Sequence, residues 1–300
     1  MEQPSSDRPL DAQVVSGLIA AQFPALRGQP VNWLAAGWDN ELFSVGGEWI
    51  LRFPRRAERV TWLTREIAIM SVLAGPLAPR VPVFELIGEP SGAFPYPFVG
   101  YRRLPGVSAD QIPAAGRTGL AAGIAKLFSA LHRIDPGGLP PTPGGWEHES
   151  WDELLTDLVT AAGRARPLLR PGTLARAGPY LAGQVPAPAQ DGPSRFIHND
   201  ICAEHVIADP GTGRLTGLID FTDAMAGDPV HDFAGLITVG GYRFIGQVAA
   251  GYDLPLGGGF RARLEWLCRV LTLTWLAEAA AADPASVPVH LSWVERAFAT

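Results

Sequence analysis

Few features of this 300-residue sequence are those of a secreted or membrane-spanning protein. It has only two cysteines, Cys202 and Cys268, and they are too far apart in the chain to indicate a disulfide framework. No run of about 18 apolar residues is present that could cross a bilayer. The first residues, Met1–Ser6, lack the basic-then-apolar order of a secretory signal. We therefore expect a cytoplasmic protein without a membrane span.

Positive charge is also scarce. The chain has 24 basic and 30 acidic residues, and Lys126 is its only lysine. This composition excludes the basic surface typical of nucleic-acid-binding proteins. Residues 1–104 hold 10 acidic and 10 basic residues, whereas residues 105–300 hold 20 and 14. An acidic C-terminal part would suit a cationic small substrate, although a solvated acidic surface is the alternative interpretation.

The first 104 residues combine strand patterns with two helical ones. Apolar spacing predicts helices over Asp11–Phe23 and Glu58–Leu73. Strands are predicted at 31–34, 41–45, 49–53, 81–87 and 98–104, with a tight hairpin turn at Gly46-Gly47. The predicted sheet begins with antiparallel strands, and its strands flank one helix. This order excludes a doubly wound parallel sheet.

Beyond Pro105-Gly106, helical patterns dominate. They are predicted at 116–134, 150–165, 172–182, 232–252, 259–282 and 287–298. With 47% apolar residues the chain can bury a substantial core. We predict an α+β fold with two lobes: residues 1–104, with a sheet and a helix, and the mainly helical residues 105–300. The terminal residues 1–9 are expected to be loose.

The segment Phe196–His205 and the later Ile219-Asp220-Phe221 carry the most chemistry. An apolar strand leads into His198-Asn-Asp200, His205 follows, and a second apolar strand ends at Asp220. Two short strands joined by a polar loop would bring Asp200, His205 and Asp220 together. This spacing is typical of a phosphoryl-transfer enzyme that places a proton acceptor beside a metal site.

In that interpretation Asp200 is the catalytic base and Asp220 binds Mg²⁺, a hard cation that prefers carboxylate oxygen. Either aspartate alone would more simply be a turn residue at a strand end. A zinc site built on His198, Cys202 and His205 lacks a clear fourth ligand.

These segments, together with Gly227-Asp-Pro-Val-His-Asp232-Phe, resemble the aminoglycoside/macrolide phosphotransferase family. The resemblance implies a two-lobed, protein-kinase-like fold, a nucleoside triphosphate in the cleft, and phosphorylation of an antibiotic hydroxyl. It implies Asp200 as base, His205 and Asp220 at the metal, and Asp232 with His198 as structural support of the catalytic loop.

The branch within the family stays open. His205 stands where many members of the family carry Asn. Macrolide kinases and one branch of aminoglycoside 2″-kinases resemble this chain in having His there. Asn199 resembles the aminoglycoside 2″ branch, whereas residues 50–58, Ile-Leu-Arg-Phe-Pro-Arg-Arg-Ala-Glu, resemble the macrolide branch. Imidazole is a poorer Mg²⁺ ligand than oxygen, so direct and water-mediated binding by His205 are both possible.

The nucleotide is expected to bind between the turn Gly37–Asn40 and the strand 98–104. Arg52 lies where kinases have their phosphate-binding lysine. An arginine can also neutralise phosphate, and it could pair with Glu66 on the following helix. The alternative is that Arg52 is a surface arginine on a strand edge. Main-chain groups around Tyr101, Arg102 and Arg103 would hold the base. The choice between ATP and GTP cannot be made from side chains.

For the acceptor, acidic candidates are Asp223 and Asp228, with Glu147 and Glu149 as surface alternatives. Trp146 and Trp151 border a loop and could line the pocket, although burial in the core is the simpler role. Two other functions compete with an antibiotic kinase: a kinase of a small metabolite such as choline, homoserine or a sugar, and a catalytically silent nucleotide-binding protein. Nothing in the sequence defines an oligomeric state.

Overall fold

The computed structural model describes residues 5–143 and 150–299, and Trp146, Glu147 and Glu149 lie outside them. The N-terminal part contains α1 (Ala12–Gln22), β1 (Val31–Ala36), β2 (Asn40–Val45), β3 (Trp49–Pro54), α2 (Val60–Leu77), β4 (Leu86–Gly88) and β5 (Phe98–Arg102). The five strands form one antiparallel sheet in the order β1-β2-β3-β5-β4.

The β2–β3 hairpin turns at Gly46 and Gly47, both in the left-handed region with φ of 61° and 75°. Only glycine adopts that conformation without strain, which is why the turn could be placed from the sequence. β3 is buried along its whole length, and Arg52 lies in its middle, between Leu42 of β2 and Val99 of β5. The centre of the sheet therefore carries a charged side chain towards the rest of the molecule.

The remainder is mainly helical. Its helices are α3 (Leu120–Leu131), α4 (Trp151–Ala165), α5 (Pro171–Leu181), α6 (Val230–Gly235), α7 (Ile237–Ala250), α8 (Phe260–Ala282) and α9 (Val287–Ala297). Short strands complete it: β6 (Val107–Ser108), β8 (Val206–Ala208) and β9 (Leu215–Leu218) form one sheet, and β7 (Arg195–Ile197) pairs with β10 (Met225–Gly227). The α+β class predicted from the sequence is confirmed.

Two apolar cores underlie the two parts. The smaller core joins α1 to the sheet, with Phe53 and Phe98 stacked at a centroid distance of 4.6 Å. The larger core lies among the helices and also takes in the second half of α2, including Met70 and Leu73. α2 therefore packs on the larger core although it lies among the N-terminal elements. The lobe boundary at 104/105 stays a prediction.

Three predicted elements differ from the structure. The strand expected over 81–87 is reduced to Leu86–Gly88, since Pro82 has no N–H for a ladder. The helix expected from 116 begins at Leu120, after a 3-10 turn. The helix expected over 232–252 is divided at Leu236 and again interrupted at Gly241, which has φ 72°. In the described ranges 5–143 and 150–299, no helix is long and apolar enough to cross a membrane.

Candidate active site

The loop that carries Asp200 follows β7 directly and is held by a buried carboxylate. Asp232, in the first turn of α6, accepts the backbone N–H groups of His198 at 2.9 Å and Asn199 at 2.8 Å. It also lies 2.9 Å from Nε2 of His132. Although burial alone would raise the pKa of Asp232, its bond with His132 and the neighbouring imidazoles lower it. Asn199 has φ 67°, so these bonds stabilise a strained backbone next to Asp200.

His198 connects this loop to the segment before Asp220. It is fully buried, its Nδ1 accepts the backbone N–H of Asp200 at 3.2 Å, and its Nε2–H donates to the carbonyl of Ile219 at 3.0 Å. These two bonds require the neutral Nε2–H tautomer, and burial lowers the pKa of His198. The imidazole therefore fixes the spacing between the two aspartate segments.

His205 and Asp220 flank the β8–β9 hairpin. The backbone N–H of Ile219 donates to the carbonyl of His205 at 3.0 Å, which extends the β8–β9 pairing by one residue on each strand. Asp220 follows directly after this pair. His205 Nδ1–H donates to the Asp200 carbonyl at 2.8 Å, and its Nε2 lies 4.0 Å from Asp220 Oδ2. Asp200, His205 and Asp220 do meet. However, they are positioned by β7 and a separate hairpin, not by the two strands and one loop that we predicted.

Arg52 links the sheet to this cluster. Its Nη1 donates to Glu66 of α2 at 2.7 Å and its Nη2 to Asp220 at 3.3 Å, so the predicted Arg52–Glu66 pair is present. The Thr222 hydroxyl lies 2.9 Å from Asp220 and 3.1 Å from Glu66. Burial raises the pKa of Glu66, whereas for Asp220 the attraction of Arg52 and His205 outweighs burial and lowers the pKa. The Arg52 guanidinium thus pairs with two carboxylates, Glu66 and Asp220. One positive charge does not neutralise both, so the cluster can attract a cation.

The donor set at Asp220 fits one class of metal. In residues 5–143 and 150–299 no group of three or more His, Cys, Asp or Glu could hold an ion. This disfavours zinc, which takes three or four protein ligands. Mg²⁺ is commonly bound by one or two carboxylates together with substrate phosphates. Asp220, with His205 beside it, could hold Mg²⁺ in that way.

At the sheet end of the cleft, the turn Gly37–Asn40 is closed by the Gly37 N–H, which donates to the Asn40 carbonyl at 2.8 Å. Asp39 in this turn is partly buried, and both burial and the nearby Asp220 raise its pKa. The turn therefore lies on the same side of the sheet as the aspartate cluster.

The three residues predicted to hold the base lie at the end of β5. Tyr101 is buried, and burial raises its pKa to about 12. The Arg102 guanidinium lies on the ring of Trp49 at 4.5 Å, at the surface. The Arg103 N–H already donates to the carbonyl of Glu48 at 2.7 Å, so this donor is committed to the neighbouring strand.

A cavity of about 320 Å³ opens beside Asp200, between the loop that carries Asp200, α4 and α8. Asp200, Asp223 and Glu278 contribute three carboxylates, and none of the described lining residues is Arg or Lys. Apolar side chains, including Trp275 and Leu271, form its other wall. Such a cavity suits a compact cation with an apolar face.

Sequence reasoning missed Glu278 and His231 in this cavity. Glu278 lies on α8, 78 positions beyond Asp200, and its only sequence signal is a single acid in the run Leu276-Ala-Glu-Ala-Ala. His231 Nε2 accepts the indole N–H of Trp151 at 3.3 Å. Trp151 itself is buried and stacks on Trp266 at 5.2 Å, so it supports the cavity from behind.

Asp228 was predicted to contact the acceptor, but the structure gives it another role. Its Oδ2 accepts Nε of the fully buried Arg263 at 2.8 Å, and its Oδ1 accepts the Val230 N–H at 3.0 Å. Arg263 also pairs with Asp191 at 3.0 Å. A buried arginine needs such partners, so Asp228 connects the start of α6 to α8. It is not among the described residues that line the cavity beside Asp200, and its contact with the acceptor stays a prediction.

The carboxyl group of Asp223 can be tested without a substrate, by measuring the free energy of unfolding. Burial, followed by Asp200 and Asp220, raises its pKa to about 7. The folded state therefore retains this proton more tightly than the unfolded state, and stability falls as pH rises from about 4 to about 7. We expect Asp223→Asn to stabilise the metal-free protein at pH 8 by on the order of 2 kcal/mol, and less at pH 5. Denaturant titration at both pH values measures this, and an equal or negative effect at pH 8 would contradict it.

Comparison with known proteins agrees with this geometry. The model of a phosphotransferase enzyme family matches residues 31–266. Viomycin phosphotransferase of Streptomyces vinaceus is 26% identical over 226 residues, which cover 71% of this chain and 74% of that protein. An uncharacterized protein of Bacillus subtilis (strain 168) is 35% identical over 74 residues, only 25% of this chain and 24% of that protein.

Solved structures match over nearly the whole chain. The GDP complex of a mutant aminoglycoside 2′-phosphotransferase-IIIa is 25% identical, with a TM-score of 0.72 and coverage of 96% and 97%. Macrolide 2′-phosphotransferase type I, at 20% identity, has a TM-score of 0.61 and coverage of 99% of both chains, a likeness of fold. With the family model covering most of its length, the chain belongs to the phosphotransferase enzyme family.

Proposed function

We propose that this protein transfers the γ-phosphoryl group of ATP or GTP to a hydroxyl of an amine-bearing antibiotic, an aminoglycoside or a macrolide, and so confers resistance. The observation that carries the proposal is the position of Asp200. It borders an acidic cavity on one side and is joined through His205 to Asp220 on the other. Solved relatives are described as GDP–kanamycin and streptomycin–ATP complexes, which supports a nucleotide donor and an antibiotic acceptor.

In the proposed mechanism Asp200 orients the acceptor hydroxyl and accepts its proton. Phosphoryl transfer passes through a loose transition state, so the proton leaves late and positioning contributes most of the effect. Asp232 and His198 act by holding the Asp200 loop through backbone hydrogen bonds. Their contribution is indirect, because neither side chain lies among the residues that line the cavity.

Arg52 is assigned to the phosphate groups, with Glu66 setting its orientation. Asp220 and His205 would hold Mg²⁺, which supplies neutralisation of phosphate charge when it is bound. The base is proposed to bind at the end of β5 near Tyr101–Arg103.

A screen of antibiotics with ATP and with GTP tests the function. We expect a mass increase of one phosphoryl group on at least one aminoglycoside or macrolide, and reduced susceptibility of a sensitive host that expresses the protein. Phosphorylation of choline, homoserine or a sugar instead would support a metabolic kinase. Nucleotide binding without any acceptor turnover would support a silent protein.

The acidic cavity predicts how the acceptor is recognised. Glu278→Gln should raise KM for an amine-bearing acceptor about fivefold, since a partly desolvated ion pair is lost, while KM for the nucleotide stays unchanged. Glu265→Gln, the same change on α8 outside the cavity, is the matched control.

Isothermal titration with one aminoglycoside and one macrolide, nucleotide present, then separates the two acceptor classes. A polycation would depend on both Asp223 and Glu278, whereas a lactone ring would depend on the apolar wall at Trp275. Tight binding of an uncharged sugar, with no binding of either antibiotic, would remove the cationic acceptor and leave the kinase assignment intact.

A further inference from the structure

Three consecutive carbonyls of the turn Gly37–Asn40 are held by the loop that follows β3. Arg55 Nη1 donates to the Gly37 carbonyl at 2.7 Å and Arg56 Nη1 to the Trp38 carbonyl at 3.3 Å. The backbone N–H of Arg55 donates to the Asp39 carbonyl at 2.9 Å. Both arginines are buried, and Arg56 Nε also donates to Glu58 at 2.9 Å, so these contacts hold the two guanidiniums beside the turn.

This arrangement defines where the amides of the turn point. In a trans peptide the N–H lies opposite the carbonyl of the preceding residue. Because the Gly37 and Trp38 carbonyls face the arginines, the N–H groups of Trp38 and Asp39 face the other way. Successive N–H groups on one side of a turn form a concavity that binds anions.

The Asp39 side chain would oppose an anion if it stood free. Its Oδ1 is instead paired with Arg59 at 3.0 Å and Arg56 at 3.7 Å. The carboxylate is thereby turned towards the loop after β3 and anchors the turn to it.

The N-terminal segment contacts the same loop, which follows β3, through Ser6 and Asp7. The Asp7 N–H donates to the Arg55 carbonyl at 2.8 Å, and Asp7 Oδ2 accepts the Ala57 N–H at 2.9 Å and the Tyr96 hydroxyl at 3.4 Å. The Ser6 hydroxyl also reaches the Arg55 carbonyl at 3.2 Å. Residues 5–9, which we predicted to be loose, therefore include a fixed contact at Ser6 and Asp7.

We propose that Asp7, Arg55 and Arg56 are positioning residues for the nucleotide: they form a brace that holds the turn Gly37–Asn40 with its amides directed at the triphosphate. This inference rests on the proposed function for its ligand and adds the residues that set nucleotide affinity. The brace acts on binding of the phosphates, so its loss raises KM for the nucleotide and leaves kcat and the acceptor KM nearly unchanged.

The decisive variant is Asp7→Ala, because two explanations predict opposite signs. If only long-range electrostatics matters, removing the negative charge of Asp7 should strengthen binding of the polyanionic nucleotide, because a repulsion is lost. If the brace positions the turn, loosening it should weaken binding of the nucleotide. We expect Kd for ATP or GTP to rise about threefold in Asp7→Ala and about tenfold in Arg55→Gln, which loses a charge-assisted hydrogen bond. Asp11→Ala, at the N-cap of α1, and Arg27→Gln, on the exposed surface, are the matched controls.

Binding is followed by the fluorescence of Trp38, 42% exposed in the turn, as the difference from Trp38→Phe. The thermal midpoint of each variant shows whether the fold is retained. Unbraced variants should lose affinity for the triphosphate and keep the affinity for the nucleoside alone. If the wild-type protein binds a nucleoside triphosphate and Asp7→Ala binds it equally or more tightly, the proposed brace is wrong. The proposed function is not affected by that result. Failure of the wild-type protein to bind any nucleoside triphosphate overturns both.

Discussion

Asp200→Asn is expected to lower kcat by at least about 100-fold while nucleotide affinity stays at the wild-type value. The amide retains the size of the carboxylate but cannot accept a proton, and general-base catalysis contributes about 10²–10⁴-fold. Nucleotide affinity should survive, because Asp200 borders the acceptor cavity while the proposed phosphate contacts are made by Arg52 and the Gly37–Asn40 turn. Steady-state kinetics at saturating nucleotide and acceptor give kcat, and titration calorimetry gives the nucleotide Kd.

The control is the same substitution at Asp209 in the β8–β9 hairpin. Its carboxylate accepts the N–H groups of Gly211 and Thr212 in an exposed turn, outside the acceptor cavity. Asp209→Asn should keep kcat within about twofold, since exposed substitutions usually have small effects. If Asp200→Asn retains a kcat near the wild-type value, Asp200 is not the base.

The catalytic loop could be predicted because its residues are close in sequence and local in their chemistry. His198, Asp200, His205 and Asp220 lie within 23 positions, so their proximity could be predicted although the separate β8–β9 hairpin that positions His205 and Asp220 was not. Arg52 and Glu66 are likewise 14 positions apart, on a strand and the helix that follows it. Their pairing was predicted from the position that the phosphate-binding lysine has in kinases, whereas a surface arginine was the alternative for Arg52.

Other parts of the site depend on packing between distant segments. Glu278 reaches the cavity because α8 packs on α4 and α6, a contact that no local pattern encodes. Asp228 looked available in the sequence, yet Arg263, 35 positions away, takes its carboxylate. Gly235 allows α6 to approach the catalytic loop, since a Cβ there would lie 2.0 Å from the Ile201 carbonyl oxygen. Such long-range contacts are decided by tertiary structure.

Backbone strain marks the two aspartate segments of the site. Asn199 and Asp220 are the only described non-glycine residues with positive φ, at 67° and 66°. Each such conformation costs on the order of 1 kcal/mol and persists only where surrounding bonds impose it. Asp232 does so at Asn199, and Thr222 with Arg52 does so at Asp220. These bonds fix the backbone at Asp220 and next to Asp200, the two aspartates that we propose act on the acceptor and the metal.

Asp220→Asn is expected to remove the Mg²⁺ dependence of nucleotide binding, with nucleotide Kd at saturating Mg²⁺ rising by about 100-fold. Asparagine tolerates positive φ and can still accept the Thr222 hydroxyl, so the backbone at position 220 should be retained. What is lost is the charged oxygen that a hard cation requires. The ion pair with Arg52 is lost as well, but Glu66 remains at 2.7 Å to hold that guanidinium.

His205→Gln should have a smaller effect, about tenfold or less, because imidazole is a secondary ligand for Mg²⁺ and an amide oxygen can replace it. Titration of Mg²⁺ against each variant at fixed nucleotide gives the order of the two effects directly. Asp209→Asn again serves as the control for the loss of one carboxylate. A wild-type Mg²⁺ requirement in Asp220→Asn would remove Asp220 as the metal ligand. A larger loss in His205→Gln than in Asp220→Asn would instead make the imidazole the principal ligand, and the cluster would then favour a softer metal than Mg²⁺.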